Sequence, residues 1–368
     1  MNFLFFAGGS AVHGMEVVFH ALMADLDRRG HGVTAIVNGW NNGEFPRLLW
    51  DQGLDYYEAD LGRLYLRRPW WTFHTLRAMP AAIREIRQVV ATVHPDWLVF
   101  SDPQLLLWSA WALPRARRLL YLHSLPAAPS FSLWGAAARR HVDRVVCVSR
   151  FVADAVARTP LGRVPSAIVH NGIDLPPVVA RPPAATPPVR LGIIGGISQQ
   201  KQHLVLLRAI AELKRRLPAE SFRLHIVGRA LGSFPRTVEA EISSLGIADR
   251  IARIDFTRER DAIYRDLDVV VAPALDEGFG LTVVEAGAYG LPVVAARSGA
   301  LPEIVEHERT GLLFNAGDAG ALAQALERLI LDGALRERLG RQARSWVADR
   351  FTVARMTGGF LDAVDGVL

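Results

Sequence analysis

The stretch Asp276-Glu277-Gly278-Phe279-Gly280-Leu281-Thr282-Val283-Val284-Glu285-Ala286 constrains this chain more than any other. Just before it, residues 268–273 (DVVVAP) form a short β-branched run that reads as a buried strand. After Gly280 the hydrophobic period turns helical, and Gly290-Leu291-Pro292 stops it. A strand, a glycine loop and a helix start therefore follow one another. The amides near Gly280, Leu281 and Thr282 have no acceptor within such a helix, and its dipole adds about half a positive charge there. That is an anion site, best suited to phosphate. Gly278 and Gly280 lack a Cβ and let a ligand approach the backbone.

Two carboxylates sharpen this reading. Glu277 falls in the loop, on the phosphate side. Glu285 falls inside the helix, roughly 7 to 8 Å beyond Gly280 at 1.5 Å of rise per residue. That distance is close to the span from a diphosphate to the ribose of its own nucleotide. One acid is placed to accept hydrogen bonds from sugar hydroxyls beyond the phosphate, the other from ribose hydroxyls. Either glutamate alone reads as a capping acid or a solvated helix side chain. Together, around a glycine loop, they mark a site.

The stretch resembles the donor-binding signature of retaining GT-B glycosyltransferases, in particular family four. That signature has two glutamates separated by seven residues, as Glu277 and Glu285 are. The resemblance continues through residues 290–295 (GLPVVA), 299–304 (GALPEI) and 310–314 (TGLLF). It implies an α/β chain of GT-B type: two Rossmann-like, doubly wound domains facing a deep cleft. It also implies that Gly278, Phe279, Gly280, Leu281 and Thr282 line the donor site, with Glu277 catalytic and Glu285 on the ribose.

The 368 residues suffice for two domains of ordinary size, and half are hydrophobic, enough for two cores. Lys and Arg exceed Asp and Glu by 42 to 37. This modest excess suits an anionic ligand or membrane surface. No nucleic-acid motif accompanies it, so no nucleic-acid partner is expected. The one cysteine, Cys147, sits in the apolar run 144–148 and reads as a buried strand residue rather than a nucleophile. It excludes an internal disulfide and fits a reducing, cytoplasmic setting. No long apolar run is free of charge and proline; residues 97–113 come nearest, but Asp102 and Pro103 interrupt them. The opening NFLFFA lacks a basic region before it and runs into a glycine loop, so it reads as a first strand, not a signal peptide.

In chain order, strand 2–7 leads into Gly8-Gly9-Ser10-Ala11-Val12-His13-Gly14, then a helix to about Arg29 and a strand at 33–37. Glycines at the carboxyl end of a first strand lie where open α/β sheets bind ligands. The spacing is not that of a dinucleotide fingerprint. It looks like the family's N-terminal glycine loop, which makes Gly9 and Gly14 the expected acceptor-side residues. Glu16 favours the helix start. Residues 61–90 mix Arg63, Arg67, Arg68, Arg77, Arg84 and Arg87 with Trp70, Trp71 and Phe73. This composition suits an anionic membrane interface or a lipid-acceptor rim, or else aromatics packed on the domain beneath a solvated arginine face. Strands are expected at 95–101, 119–122, 144–148 and 166–169. His123 follows the second of these, and by resemblance it is the family's cleft histidine near the donor sugar. Ser149 is a plausible N-cap. Asn171-Gly172-Ile173-Asp174 resembles the turn closing the family's N-terminal domain.

Residues 176–188 are dense in Pro, Ala and Val and read as a stiff linker. The expected organisation is an acceptor-side domain at 1–176, a linker at 177–188, a nucleotide-sugar domain at 189–351, and a last helix at 352–368. By analogy with GT-B enzymes that helix packs back on the first domain. The second domain opens with strand 189–194, then Gly195-Gly196-Ile197-Ser198-Gln199-Gln200-Lys201 and a helix from about 202 to 217. A lysine after a glycine turn, at a helix start, is placed to hold a phosphate as a point charge. The family has an arginine where this chain has Gly196. Arg229, after the strand at 222–227, is the expected substitute, with a plain surface arginine as the alternative. A short strand at 253–256 and a helix at 258–266 return the chain to the central stretch.

No paired His, Cys set or clear Asp-x-Asp is present, so no metal or cofactor is expected. The expected reaction is hexosyltransferase-like: metal-independent, with retention of configuration. It moves a sugar from a UDP- or GDP-linked donor to a glycan or lipid-linked acceptor. The setting is polysaccharide, lipopolysaccharide or glycolipid assembly, in the cytoplasm or peripherally on the inner membrane face. Lys201, Glu277 and His123 carry the chemistry. A non-catalytic nucleotide-sugar binder or a GT-B epimerase stands as the alternative.

Overall fold

The computed structural model describes residues 1–9, 12–62, 69–113, 116–125, 130–177, 187–229, 232–255, 257 and 259–366. The expected strand end at 256, helix start at 258 and arginines 63, 67 and 68 lie outside them, as do residues 178–186 of the expected linker. The chain divides into two compact units, Met1–Ile173 with Val353–Leu368, and Asp174–Thr352.

The first unit is built on seven strands: β1 (Asn2–Ala7), β2 (Gly32–Asn38), β3 (Asp55–Ala59), β4 (Trp97–Phe100), β5 (Arg117–Leu122), β6 (Arg144–Cys147) and β7 (Ser166–Ile168). All pair in parallel, in the order β3-β2-β1-β4-β5-β6-β7. A sheet with helices on both faces buries both sides of each inner strand, so these strands are continuously apolar. Phe3, Leu4, Phe5 and Phe6 are accordingly all buried. β3 escaped the sequence reading: it is an edge strand whose Tyr57 and Glu58 stay exposed, so no apolar run marks it. The apolar stretch 97–113 resolves into β4 and the helix Pro103–Ala112, parted at Asp102. Among the described residues no helix is long and apolar enough to cross a membrane.

The last helix, Val353–Asp365, belongs to this first unit. It packs on the helix Gly14–Arg28 and inserts Phe360, fully buried, between Phe3 (5.5 Å between ring centres) and Tyr121 (6.1 Å). Arg29 Nη2 donates to the Ala354 carbonyl (3.0 Å), and the Val353 amide to the Ile173 carbonyl (3.2 Å). The amide of Gly172, in the Asn-Gly-Ile-Asp turn, points at Met356 Sδ (3.2 Å).

The second unit holds six parallel strands: β8 (Val189–Ile194), β9 (Phe222–Val227), β10 (Ile251–Ile254), β11 (Val269–Ala272), β12 (Val293–Ala296) and β13 (Gly311–Phe314). Their order is β10-β9-β8-β11-β12-β13. In both sheets the chain winds outward one way from the first strand and then returns to that strand's other side. The reversal falls between β1 and β4 in one unit, and between β8 and β11 in the other. At such a switch point the loops leave in opposite directions and open a crevice beyond the carboxyl strand ends.

Candidate functional site

At the switch point of the second sheet, four loops meet at the carboxyl strand ends. The turn after β8 carries Gly195, Gly196 and Lys201. Its Gln200 carbonyl accepts from the Leu275 amide (3.0 Å), and its Ile197 amide donates to the Arg229 carbonyl beyond β9 (3.1 Å). The loop after β11 carries Asp276 to Gly280, and the loop after β12 holds it from the far side. Ser298 Oγ accepts from the Asp276 amide (3.1 Å), and the Ala300 amide donates to the Glu277 carbonyl (2.9 Å). Gly299 has φ +60°, and a Cβ there would stand 2.5 Å from both the nitrogen and the oxygen of Glu277. Only glycine permits so close an approach. Asp276 itself is left-handed, at φ +52°, a conformation that costs a non-glycine residue and persists only where neighbours impose it.

This scaffold brings Lys201 and Glu277 together: Lys201 Nζ donates to Glu277 Oε2 at 2.7 Å. Both side chains are half-buried and line a shallow, open recess with Ile194, Ala272, Gly280 and Thr282. The helix Leu281–Ala288 starts at its edge. Gly280 opens that helix with φ +107° and no side-chain cap. Its first internal bonds run from the Val283 and Val284 amides to the Gly280 carbonyl. The Leu281 and Thr282 amides precede those bonds, at the positive end of the dipole.

Glu285 lies one turn further on and is held at both oxygens. Tyr264 Oη donates to Oε2 (2.6 Å), and Arg260 Nε meets Oε1 (2.9 Å). Burial first, then the Glu285 carboxylate, push the Tyr264 phenol well above its usual range, so it remains a donor. Tyr264 in turn stacks on Tyr289 (5.1 Å, 19°). Sequence reasoning did not assign Tyr264, Arg260, Ser298 or Gly299. The first two stand on the helix Arg260–Tyr264, separated from Glu285 by a strand and a loop, and no periodicity links them.

Not every expected residue presents its side chain. The ring of Phe279 is buried and meets Phe351 edge-on (5.9 Å, 73°), so its side chain lies in the core and only its backbone is left to face the loop's outer side. Arg229 is exposed, with its backbone bonded to the turn that carries Gly196. Gly278 and Gly280 are buried within the loop.

His123 belongs to the first unit, directly after β5. Its ring packs on Tyr121 (4.5 Å) and Phe19 (5.2 Å), and both ring nitrogens are buried without a partner among the described residues. Burial lowers its pKa to about 3, so it is neutral. A buried polar group left unpaired is costly and points to a missing partner. Ser101 Oγ, after β4, is likewise buried and unpartnered. Gly9 lies half-buried just after β1, and Gly14 is the exposed first residue of the helix Gly14–Arg28. There Glu16 accepts from the His13 amide (3.0 Å), closing a capping box. Ser149 caps the helix Arg150–Ala157 through the Val152 amide. Among the described residues no group of three or more His, Cys, Asp or Glu side chains is placed to hold a metal ion.

Two doubly wound parallel sheets, the second with a phosphate-ready helix end between two glutamates, define a GT-B protein. The comparisons place it further. The model "Glycosyltransferase Family 4" matches residues 12–176, and "Glycosyl transferases group 1" matches residues 188–332. The chain belongs to this glycosyltransferase family. It is similar to the D-inositol 3-phosphate glycosyltransferase of Corynebacterium diphtheriae, 40% identical over 41% of this chain and 36% of that one. It is also similar to that of Saccharomonospora viridis, 37% identical over 60% of this chain and 54% of that one. The matched part thus spans from about a third to about half of these relatives' length. In fold it resembles Anabaena HepE, solved with UDP and glucose, with a TM-score of 0.81 over 99% of both chains at 19% identity.

Proposed function

We propose that this chain transfers a sugar from a nucleoside-diphosphate sugar to an acceptor hydroxyl, with retention of configuration and without a metal ion. The observation that carries the reading is the Lys201–Glu277 pair at 2.7 Å beside the open end of the helix Leu281–Ala288. The donor diphosphate takes the Lys201 ammonium and the Leu281 and Thr282 amides. Glu277, released from the lysine, takes hydroxyls of the donor sugar. Glu285, already aimed by Tyr264 and Arg260, takes the ribose. As the bond between the anomeric carbon and the phosphate oxygen breaks, charge grows on the diphosphate, and those donors bind it more tightly than in the ground state. The acceptor oxygen attacks from the leaving group's face, and its proton passes to the departing phosphate. The orphaned ring nitrogens of His123 suit a substrate hydroxyl.

The acceptor we propose is a glycan or lipid-linked sugar at the inner face of a membrane. The similarity to D-inositol 3-phosphate glycosyltransferases makes inositol 3-phosphate the first soluble alternative. The test is nucleoside diphosphate release over a panel of UDP-, GDP- and ADP-sugars, each with and without these acceptors. Acceptor-dependent release from one donor is the expected result; no release from any, together with no nucleotide binding, overturns the reading.

A second reading rests on Gly196, where the family has arginine: a nucleotide-sugar binder that does not turn over. Arg229, bonded through its backbone to that turn, is the proposed substitute cation. Arg229→Ala should then lower both donor affinity and turnover; unchanged values would leave the missing arginine uncompensated. An epimerase would instead interconvert the donor sugar with no acceptor, which the same panel detects.

A further inference from the structure

The first unit carries an apolar surface that its own core does not use. In the helix Pro69–Val93, Thr75, Ala82, Ile86 and Val89 are buried and set the inward face. At 3.6 residues per turn, Phe73, Arg77 and Arg84 fall on the opposite side, flanked by Trp70 and Arg87, with Leu76 at its margin. All six are exposed, Trp70 at 69% and Phe73 at 55%. Trp70 stacks on Phe73 (5.9 Å, 26°). Trp71 meets Trp40, from the loop after β2, at 5.9 Å. The Trp70–Phe73 pair thus stands on the same side of the helix as the three arginines that follow it, whereas Trp71 turns toward the side that carries Thr75 and Val89. The helix has a single acid, Glu85, which sits to one side of the arginine line.

This order selects the partner. Tryptophan favours the headgroup level of a bilayer, where its ring is apolar and its N–H stays wet. Arginine stems lie along apolar surface while the guanidinium reaches phosphate. A cationic line with no acid on it is complementary to an anionic surface, and a bilayer demands no shaped acidic counterpart. We propose that Trp70 and Phe73 enter the headgroup region of an anionic membrane while Arg77, Arg84 and Arg87 hold lipid phosphates. The inference deepens the membrane-side acceptor reading above and identifies the surface. It needs no sugar transfer to be true.

The experiment is flotation of the full chain with phosphatidylcholine vesicles, with and without phosphatidylglycerol and in the absence of any donor. The chain should float with the anionic vesicles and much less with the neutral ones. The double variant Trp70→Ser, Phe73→Ser should lose at least about tenfold in binding on both. Arg77→Gln, Arg84→Gln and Arg87→Gln should each remove roughly fivefold of the anionic preference, and added salt should mimic that loss. An unchanged melting curve shows that the variants fold. Unchanged UDP and GDP binding keeps failure here separate from failure of the transferase reading. A chain that stays soluble with anionic vesicles, or an aromatic variant that floats as well as the parent, overturns the proposal. So does self-association of the parent that the aromatic variant abolishes while neither floats, since a second copy would then be the occupant.

Discussion

Lys201 and Glu277, 76 positions apart in the chain, form an ion pair of 2.7 Å across the switch point of the second sheet. On the function proposed above, a bound donor separates this pair, its diphosphate taking the lysine and its sugar the glutamate. Lys201→Ala should therefore raise the Kd for nucleoside diphosphate, by about tenfold to a hundredfold for a half-buried charge-assisted bond. Glu277→Gln should leave diphosphate affinity equal or tighter, because the lysine loses its competitor, while turnover falls by about a hundredfold or more. Calorimetry with UDP or GDP, beside turnover of the matching nucleotide sugar, separates the two. Weaker diphosphate binding in Glu277→Gln would contradict this arrangement.

Tyr264 holds Glu285, the proposed ribose partner, at 2.6 Å. Tyr264→Phe keeps the stacking on Tyr289 and frees one carboxylate oxygen to rotate. The preference for a ribonucleotide over its deoxyribose analogue should then shrink by roughly fivefold to tenfold, with kcat little changed. A variant that discriminates as well as the parent would mean that Arg260 alone, at 2.9 Å, fixes the acid.

Buried histidines make stability depend on pH. Burial lowers His123 to about 3 and His203 to about 4, from the model-peptide value of 6.5. Their unfolded forms therefore take up protons that the folded chain refuses, and stability falls as pH drops below about 6.5. The slope is at most about 1.4 kcal/mol per pH unit for each histidine. The loss from His203 ends near pH 4 and that from His123 near pH 3. Urea unfolding from pH 7 to 5 should show it, and His123→Phe should flatten the curve. An equal slope in that variant would rule out His123 as a source.

Phe360 ties the last helix to the first sheet through Phe3, Phe5 and Tyr121. Phe360→Ala should destabilise the first unit by about 3 to 5 kcal/mol. Hydrogen exchange should rise in β1 and the helix Gly14–Arg28 before it rises in the second unit. Uniform protection in the variant would show that the helix contributes little.

Much of this protein was legible along the chain. Strands such as Asn2–Ala7 and Val189–Ile194 are buried on both faces, so their sequence is apolar without alternation, and glycines follow each where a loop must turn tightly. The helix start after Gly280, the two acids around it and the lysine after Gly195 are features of local spacing, which a linear reading recovers. What each side chain meets is not local. Phe279 reads as part of a ligand loop, yet its ring enters the core against Phe351. Tyr264 and Arg260 read as an ordinary helix, yet they hold Glu285. The pairing of Lys201 with Glu277 depends on β8 and β11 being neighbours, and that adjacency arises only when the sheet reverses its winding. Periodicity records which face a residue buries; only the packed sheet decides which distant residue waits on that face.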